Sequence, residues 1–161
     1  MKGKNISLIL MLGCYLFFNT VTAQTKQKAQ TAFLTLLNTI LKNSKQHHWN
    51  YEGIMTIDSA FAINEKGVLS VTVRYTNDSS FIRARMEAPV NKIKRVAYDL
   101  YLILEYKDEL VTYYESEPGS NELKEKGTTN LFHIGTPLPE DISYKEKLQK
   151  ALDKLLKYYV Q

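Results

Sequence analysis

The sequence predicts an α+β domain in which an antiparallel meander of five to six strands is bracketed by an N-terminal and a C-terminal amphipathic helix. Three observations carry this. Apolar side chains recur at helical spacing near both ends, they recur at every second position through the middle, and the connections between the middle segments are too short to hold crossover helices.

Across residues 29–41, Ala29, Phe33, Leu36, Leu37, Ile40 and Leu41 fall on one helical face, with Lys28, Gln30, Thr35 and Asn38 elsewhere. The C-terminal stripe is longer: Tyr144, Leu148, Ala151, Leu152, Leu155, Leu156 and Tyr159. Ser143 with Glu146 reads as a capping box at its start. Two acid-before-base pairs, Glu146 with Lys150 and Asp153 with Lys157, support its exposed side.

Between the helices the period is two. Met55, Ile57, Phe61 and Ile63 mark a first strand, Leu69, Val71, Val73 and Tyr75 a second, and Ile82, Ala84, Met86 and Ala88 a third. Glu65-Lys66-Gly67 suits a three-residue hairpin loop, and residues 77–80 a four-residue one. Keeping the apolar residues on one face sets Ile57 opposite Tyr75, Tyr75 opposite Ile82, and Phe61, Val71 and Met86 in one row. Pro89 ends the third strand. Residues 96–106 read as one central strand, with Val96, Tyr98, Leu100, Leu102 and Leu104 on one side and Tyr101 and Ile103 on the other. Residues 110–115 form a fifth strand, residues 116–130 a long loop or frayed hairpin, and residues 131–134 a short sixth strand.

The N-terminus has the anatomy of a cleavable export signal: Lys2 and Lys4, an apolar run over residues 6–18, then Asn19 and Thr20. The run is shorter than the roughly 20 residues that span a bilayer. Val21-Thr22-Ala23 places compact side chains where signal peptidase needs them, so cleavage is expected after Ala23. A lipoprotein reading at Cys14 is disfavoured by the bulky Leu12 and by the greasy residues that would follow the cysteine. The Ala23-Gln24 junction resembles that of small exported proteins of the Bacteroidota. Residues 24–161 are then a single exported domain, in the periplasm, at the cell surface or secreted, with no membrane segment left after cleavage. Cys14 leaves with the signal, so neither disulfides nor thiolate chemistry support the mature fold. A formal charge of +4, part of it in the leader, is too mild to argue for nucleic acid.

Motifs for catalysis are sparse. The sequence has no Gly-x-Ser-x-Gly elbow, no Gly-rich phosphate loop and no His-Glu-x-x-His helix, and no cofactor or metal site is expected. His47 and His48, beside Trp49 and Tyr51, read as the cationic end of the first helix. Glu115 and Glu117 share a strand face, and Asp99 and Glu105 lie on the mixed face of the fourth strand. Asp58-Ser59-Ala60 resembles the acceptor tripeptide of O-glycosylation in exported Bacteroidota proteins, but the expected register turns Ser59 toward the core. Tyrosines crowd the fourth and fifth strands, and Tyr101 and Tyr114, which break the apolar alternation, are the exposed candidates for ligand contact.

The arginines give the sharpest arrangement. The register puts Arg74 opposite Arg83 with Arg85 two residues along, a like-charge cluster that costs stability unless something negative is near. Asp58 is expected beside Arg74, and Glu87 further along. This is either a surface salt network or a guanidinium patch that takes a carboxylate, sulfate or phosphate. The expected function is accordingly a non-enzymatic binding module. Its ligand, an unidentified protein, anionic small molecule or glycan, would be met by Arg74, Arg83, Arg85, Tyr101 and Tyr114. A hydrolase of glycan or peptide and a carrier of an apolar ligand are the alternatives: a histidine bonded to a buried acid would mark the first, and a closed cavity under the sheet the second.

Overall fold

A computed structural model describes residues 4–44, 51, 53–137 and 141–159. Among these residues two α-helices, α1 (Lys4–Asn43) and α2 (Ile142–Leu156), bracket eight strands. These are β1 (Ile54–Ile63), β2 (Val68–Thr76), β3 (Phe81–Pro89), β4 (Ile93–Asp99), β5 (Tyr101–Tyr106), β6 (Val111–Ser116), β7 (Leu123–Thr129) and β8 (Leu131–His133). The α+β class and its bracketing helices are as expected, but the strands divide between two antiparallel sheets, β1-β2-β3-β6-β7 and β4-β5-β8.

The second sheet arises where one long strand was expected. Residues 96–106 fold back on themselves at Leu100, which has φ 60, and Tyr98 pairs with Leu102 and Val96 with Leu104. The alternation hid this. A fold-back centred on one residue keeps even-numbered positions of both arms on one face, as a straight strand does. Nothing in the local sequence offers the usual glycine or asparagine for a left-handed turn. The β4–β5 hairpin therefore lies between β3 and β6 in the chain, and residues 123–129, expected as loop or frayed hairpin, form β7 along β6.

In the first sheet the β2–β3 register is as predicted: Tyr75 faces Ile82, Arg74 faces Arg83 and Val71 faces Met86. Gly67, at φ 75, closes the β1–β2 loop. Further along β1 the register departs from expectation. Two irregularities, at Ile57/Ser59 and Ser59/Ala62, set Ile57 opposite Val73 instead of Tyr75, and Thr56 opposite Arg74. Together they shift the pairing by an even count, so Met55 and Ile57 still point inward. Ser59 pairs with Thr72, whose neighbours Val71 and Val73 face inward, and Ser59 is exposed, not core-facing as the uninterrupted register implied.

One core joins everything. Phe33, Leu37, Ile40 and Leu41 of α1 and Leu148, Leu152 and Leu155 of α2 are buried against Leu69, Leu104, Tyr106, Phe132 and Ile134. α2 starts earlier than the expected capping box: Asp141, not Ser143, is the N-cap, and its carboxylate accepts from the Ser143 N–H at 2.8 Å. The helices also reach the sheet edges. Asn38 Nδ2 donates to the Phe61 carbonyl at 3.1 Å, the Phe61 N–H donates to Asn38 Oδ1 at 2.8 Å, and Gln149 Oε1 accepts from the Val96 N–H at 2.7 Å.

Candidate functional site

The outer face of the first sheet holds the predicted arginines, and each is already engaged. Arg74 donates from Nε and Nη2 to the two oxygens of Asp58, both at 3.1 Å, and from Nη2 to Asn121 Oδ1. Arg83 donates from Nε to Asp58 Oδ2 at 2.6 Å and from Nη1 to the Asn121 carbonyl at 2.7 Å. The Arg74 guanidinium also lies 4.2 Å from the centre of the Phe81 ring. These contacts hold the Asp58 carboxyl below its ordinary value, the Arg74 hydrogen bond first, against the opposing effect of burial. Arg85 is bound by Glu87, whose other oxygen accepts from the Tyr114 hydroxyl at 2.9 Å. The arginine face is a closed salt network that staples β1, β2, β3 and the approach to β7.

Tyr101 and Tyr114 do not meet. Tyr114 belongs to that outer network, whereas Tyr101 is buried, 9% exposed, because its strand turned into the second sheet. There it packs against His133, ring centres 4.6 Å apart. His47, His48 and Trp49 lie outside the described residues.

Tyr101 leads instead to the inner face. The helices cover one half of it. Over the other half a cleft of about 780 Å³ opens between the first sheet and the tip of the β4–β5 hairpin. Its floor is Val71, Val73, Tyr75, Ile82, Ala84 and Met86, its far wall Asp99, Leu100, Tyr101 and His133, and its rim Lys126, Thr128 and Thr129. Tyr51 stacks on Tyr75 with ring centres 4.4 Å apart and planes 14° from parallel. Across from them, β6 carries Tyr113 and Glu115 on the inward face, beside Met86 and Ala84.

Glu115 ties this end together. The Tyr51 hydroxyl donates to its Oε2 at 2.6 Å and the Tyr113 hydroxyl to the same atom at 2.5 Å. Burial, reinforced by the bond to Glu115, pushes the Tyr113 phenol well above its usual range, and burial does the same to Tyr75. Both therefore stay protonated through the physiological range. Burial lowers the His133 imidazole below its ordinary 6.5 while Asp99 pulls it back up. Asp99 itself is exposed, unlike the buried acid that orients a catalytic histidine. Among the described residues, no three of His, Cys, Asp and Glu converge into a metal-binding group.

No family model, curated protein or solved structure matches the chain.

The cleft went unseen in the sequence because its far wall depends on the fold-back at Leu100. One signal was present. In β6 the inward positions run Val111, Tyr113, Glu115, so an acid stands in an otherwise apolar row. A carboxylate placed there needs donors, and the two phenols supply them.

Proposed function

We propose that this protein is a non-enzymatic binding module of the cell envelope whose ligand seat is the tyrosine-lined cleft and not the arginine face. The observation that carries the reading is the cleft itself: about 780 Å³, floored largely by aliphatic side chains and lined by Tyr51, Tyr75, Tyr101 and Tyr113, with a few polar groups converging on it. That size and mixture suit a small molecule with an apolar body. The pairing of Arg74 and Arg83 with Asp58, and of Arg85 with Glu87, occupies the guanidinium donors and leaves three cations facing two carboxylates, so the outer face offers an anionic partner little charge and few free donors. The leader-like pattern of residues 1–23 supports the envelope placement, and among the described residues no helix is long and apolar enough to cross a membrane. This reading keeps the binding class expected from the sequence and takes its geometry from the carrier alternative, with the cleft open on one side.

Titration with the neutral fluorophore N-phenyl-1-naphthylamine tests it. Saturable one-to-one binding is expected in the native protein, and its loss in Thr128→Trp, where an indole on the exposed rim plugs the mouth. Binding that does not saturate, or that survives the plug unchanged, overturns the reading.

A further inference from the structure

We infer that the cleft selects a small organic cation, an amine or quaternary ammonium carried on an apolar body, seated among the tyrosine rings and held by Glu115 and Asp99. This rests on the cleft being the ligand seat and adds the charge of the ligand.

The charges that line the cleft point one way. Glu115 comes from the first sheet and Asp99 from the opposing hairpin, so negative charge faces the interior from two walls. Among the described residues the one lysine at the rim is Lys126, which turns to Glu117, with Nζ 3.6 Å from its carboxylate, and is exposed. Among the described residues no arginine lines the cleft. An anionic ligand would meet two carboxylates and a lysine already shared with another acid.

The hydrogen bonding points the same way. Both phenols donate to Oε2 of Glu115, and Oε1 has no partner among the described residues. A carboxylate accepts and never donates, so the remaining oxygen is open to a donor or a positive charge. The phenol bonds also leave electron density on the tyrosine oxygens and rings, and ring faces attract ammonium groups once water is excluded. Four tyrosines beside two carboxylates provide both the shape and the charge for such a group. A sugar would use the rings equally well and could donate its hydroxyls to the acids, but it carries no charge to be drawn to them, so the salt dependence of displacement separates the two.

The test is displacement of bound N-phenyl-1-naphthylamine by three probes of similar shape: benzyltrimethylammonium, its neutral isostere neopentylbenzene, and phenylacetate. The cation is expected to displace at a concentration about tenfold below the isostere, the scale of a desolvated cation–π contact, and phenylacetate to be the weakest. Added sodium chloride should weaken the cation alone. In Glu115→Gln, whose amide oxygen still accepts from Tyr51 and Tyr113, the cation should fall toward the isostere, with thermal unfolding showing that the variant remains folded. Equal displacement by cation and isostere, or a preference for phenylacetate, overturns the cation inference and leaves the cleft standing as a binding seat. Failure of the fluorophore to bind at all removes the seat and the inference with it.

Discussion

Asn38 and the backbone of Phe61 exchange two hydrogen bonds, the side-chain amide standing where a neighbouring strand would otherwise pair. β1 is an edge strand, and an unpaired edge invites association with other chains. Gln30 reaches the Ile63 carbonyl of the same strand, and Gln149 of α2 guards the edge strand β4 of the other sheet in the same manner. Each helix thus covers a sheet edge as well as filling the core. Asn38→Ala is expected to cost about 1–3 kcal/mol by leaving partly buried backbone groups unpaired. Urea unfolding measures it, and a variant as stable as the parent would show that water serves the edge equally well.

The helix-on-sheet core makes a larger demand. Phe33 and Leu152 are fully buried, one on each helix. Truncating either to alanine should cost about 2–5 kcal/mol. A near-zero loss in the same titration would contradict the packing.

Asp58 bridges two arginines that face each other across β2 and β3. Its carboxyl titrates below the ordinary 3.8, so its stabilisation is complete above that value and is lost as the pH falls through the lowered one. Asp58→Asn should cost about 1–2 kcal/mol near neutral pH. The gap between variant and parent should narrow on acidification below about pH 4, and a gap that stays constant would mean the charge is not what matters.

His133 has the opposite charge and a related pH response. Its folded pKa lies below 6.5, so between the two values the unfolded chain binds more protons. Stability should decline as the pH drops below 6.5 and level off beneath the folded pKa. Because Asp99 and the Tyr101 ring both act on the imidazole, His133→Gln should flatten this part of the profile. An unchanged slope in thermal unfolding against pH would assign the response to other groups.

Leu100 adopts a left-handed backbone that costs a residue with a Cβ about 1–2 kcal/mol. Leu100→Gly is therefore expected to hold or raise the unfolding midpoint, although the side chain lines the cleft and its loss should weaken fluorophore binding. Glycine at the buried, extended Leu102 should do the reverse, with a clear fall in stability. Equal effects at the two positions would remove the case for strain at the hairpin tip.

These residues also show how much of the molecule the sequence discloses. Periodicity locates both helices and the first three strands, and it pairs Arg74 with Arg83, because each of those segments has one buried face and a turn of recognisable chemistry. It is blind to the fold-back at Leu100, since Val96, Leu102 and Leu104 keep the same parity whether the chain runs straight or reverses. The site suffered from that blindness. Tyr101 was expected in the open and became a cleft wall, whereas Asp58 meets Arg74 as expected even though the irregularities in β1 set Thr56 opposite that arginine. Glu115 was visible as a strand-face acid, but the phenols that surround it come from Tyr51 and Tyr113, which only the folded sheet brings together.

The two irregularities in β1 have a consequence for how this chain can vary in length. Because their combined shift is even, the strand carries two residues more than its partner without turning Met55 or Ile57 outward. Loss of Ser59 and Ala60 together would leave Met55 and Ile57 facing the core, whereas loss of either alone would turn both to solvent and bring their polar neighbours inward. Insertions and deletions at this site are therefore tolerated in steps of two. Chains descended from this one should differ here by even counts or not at all.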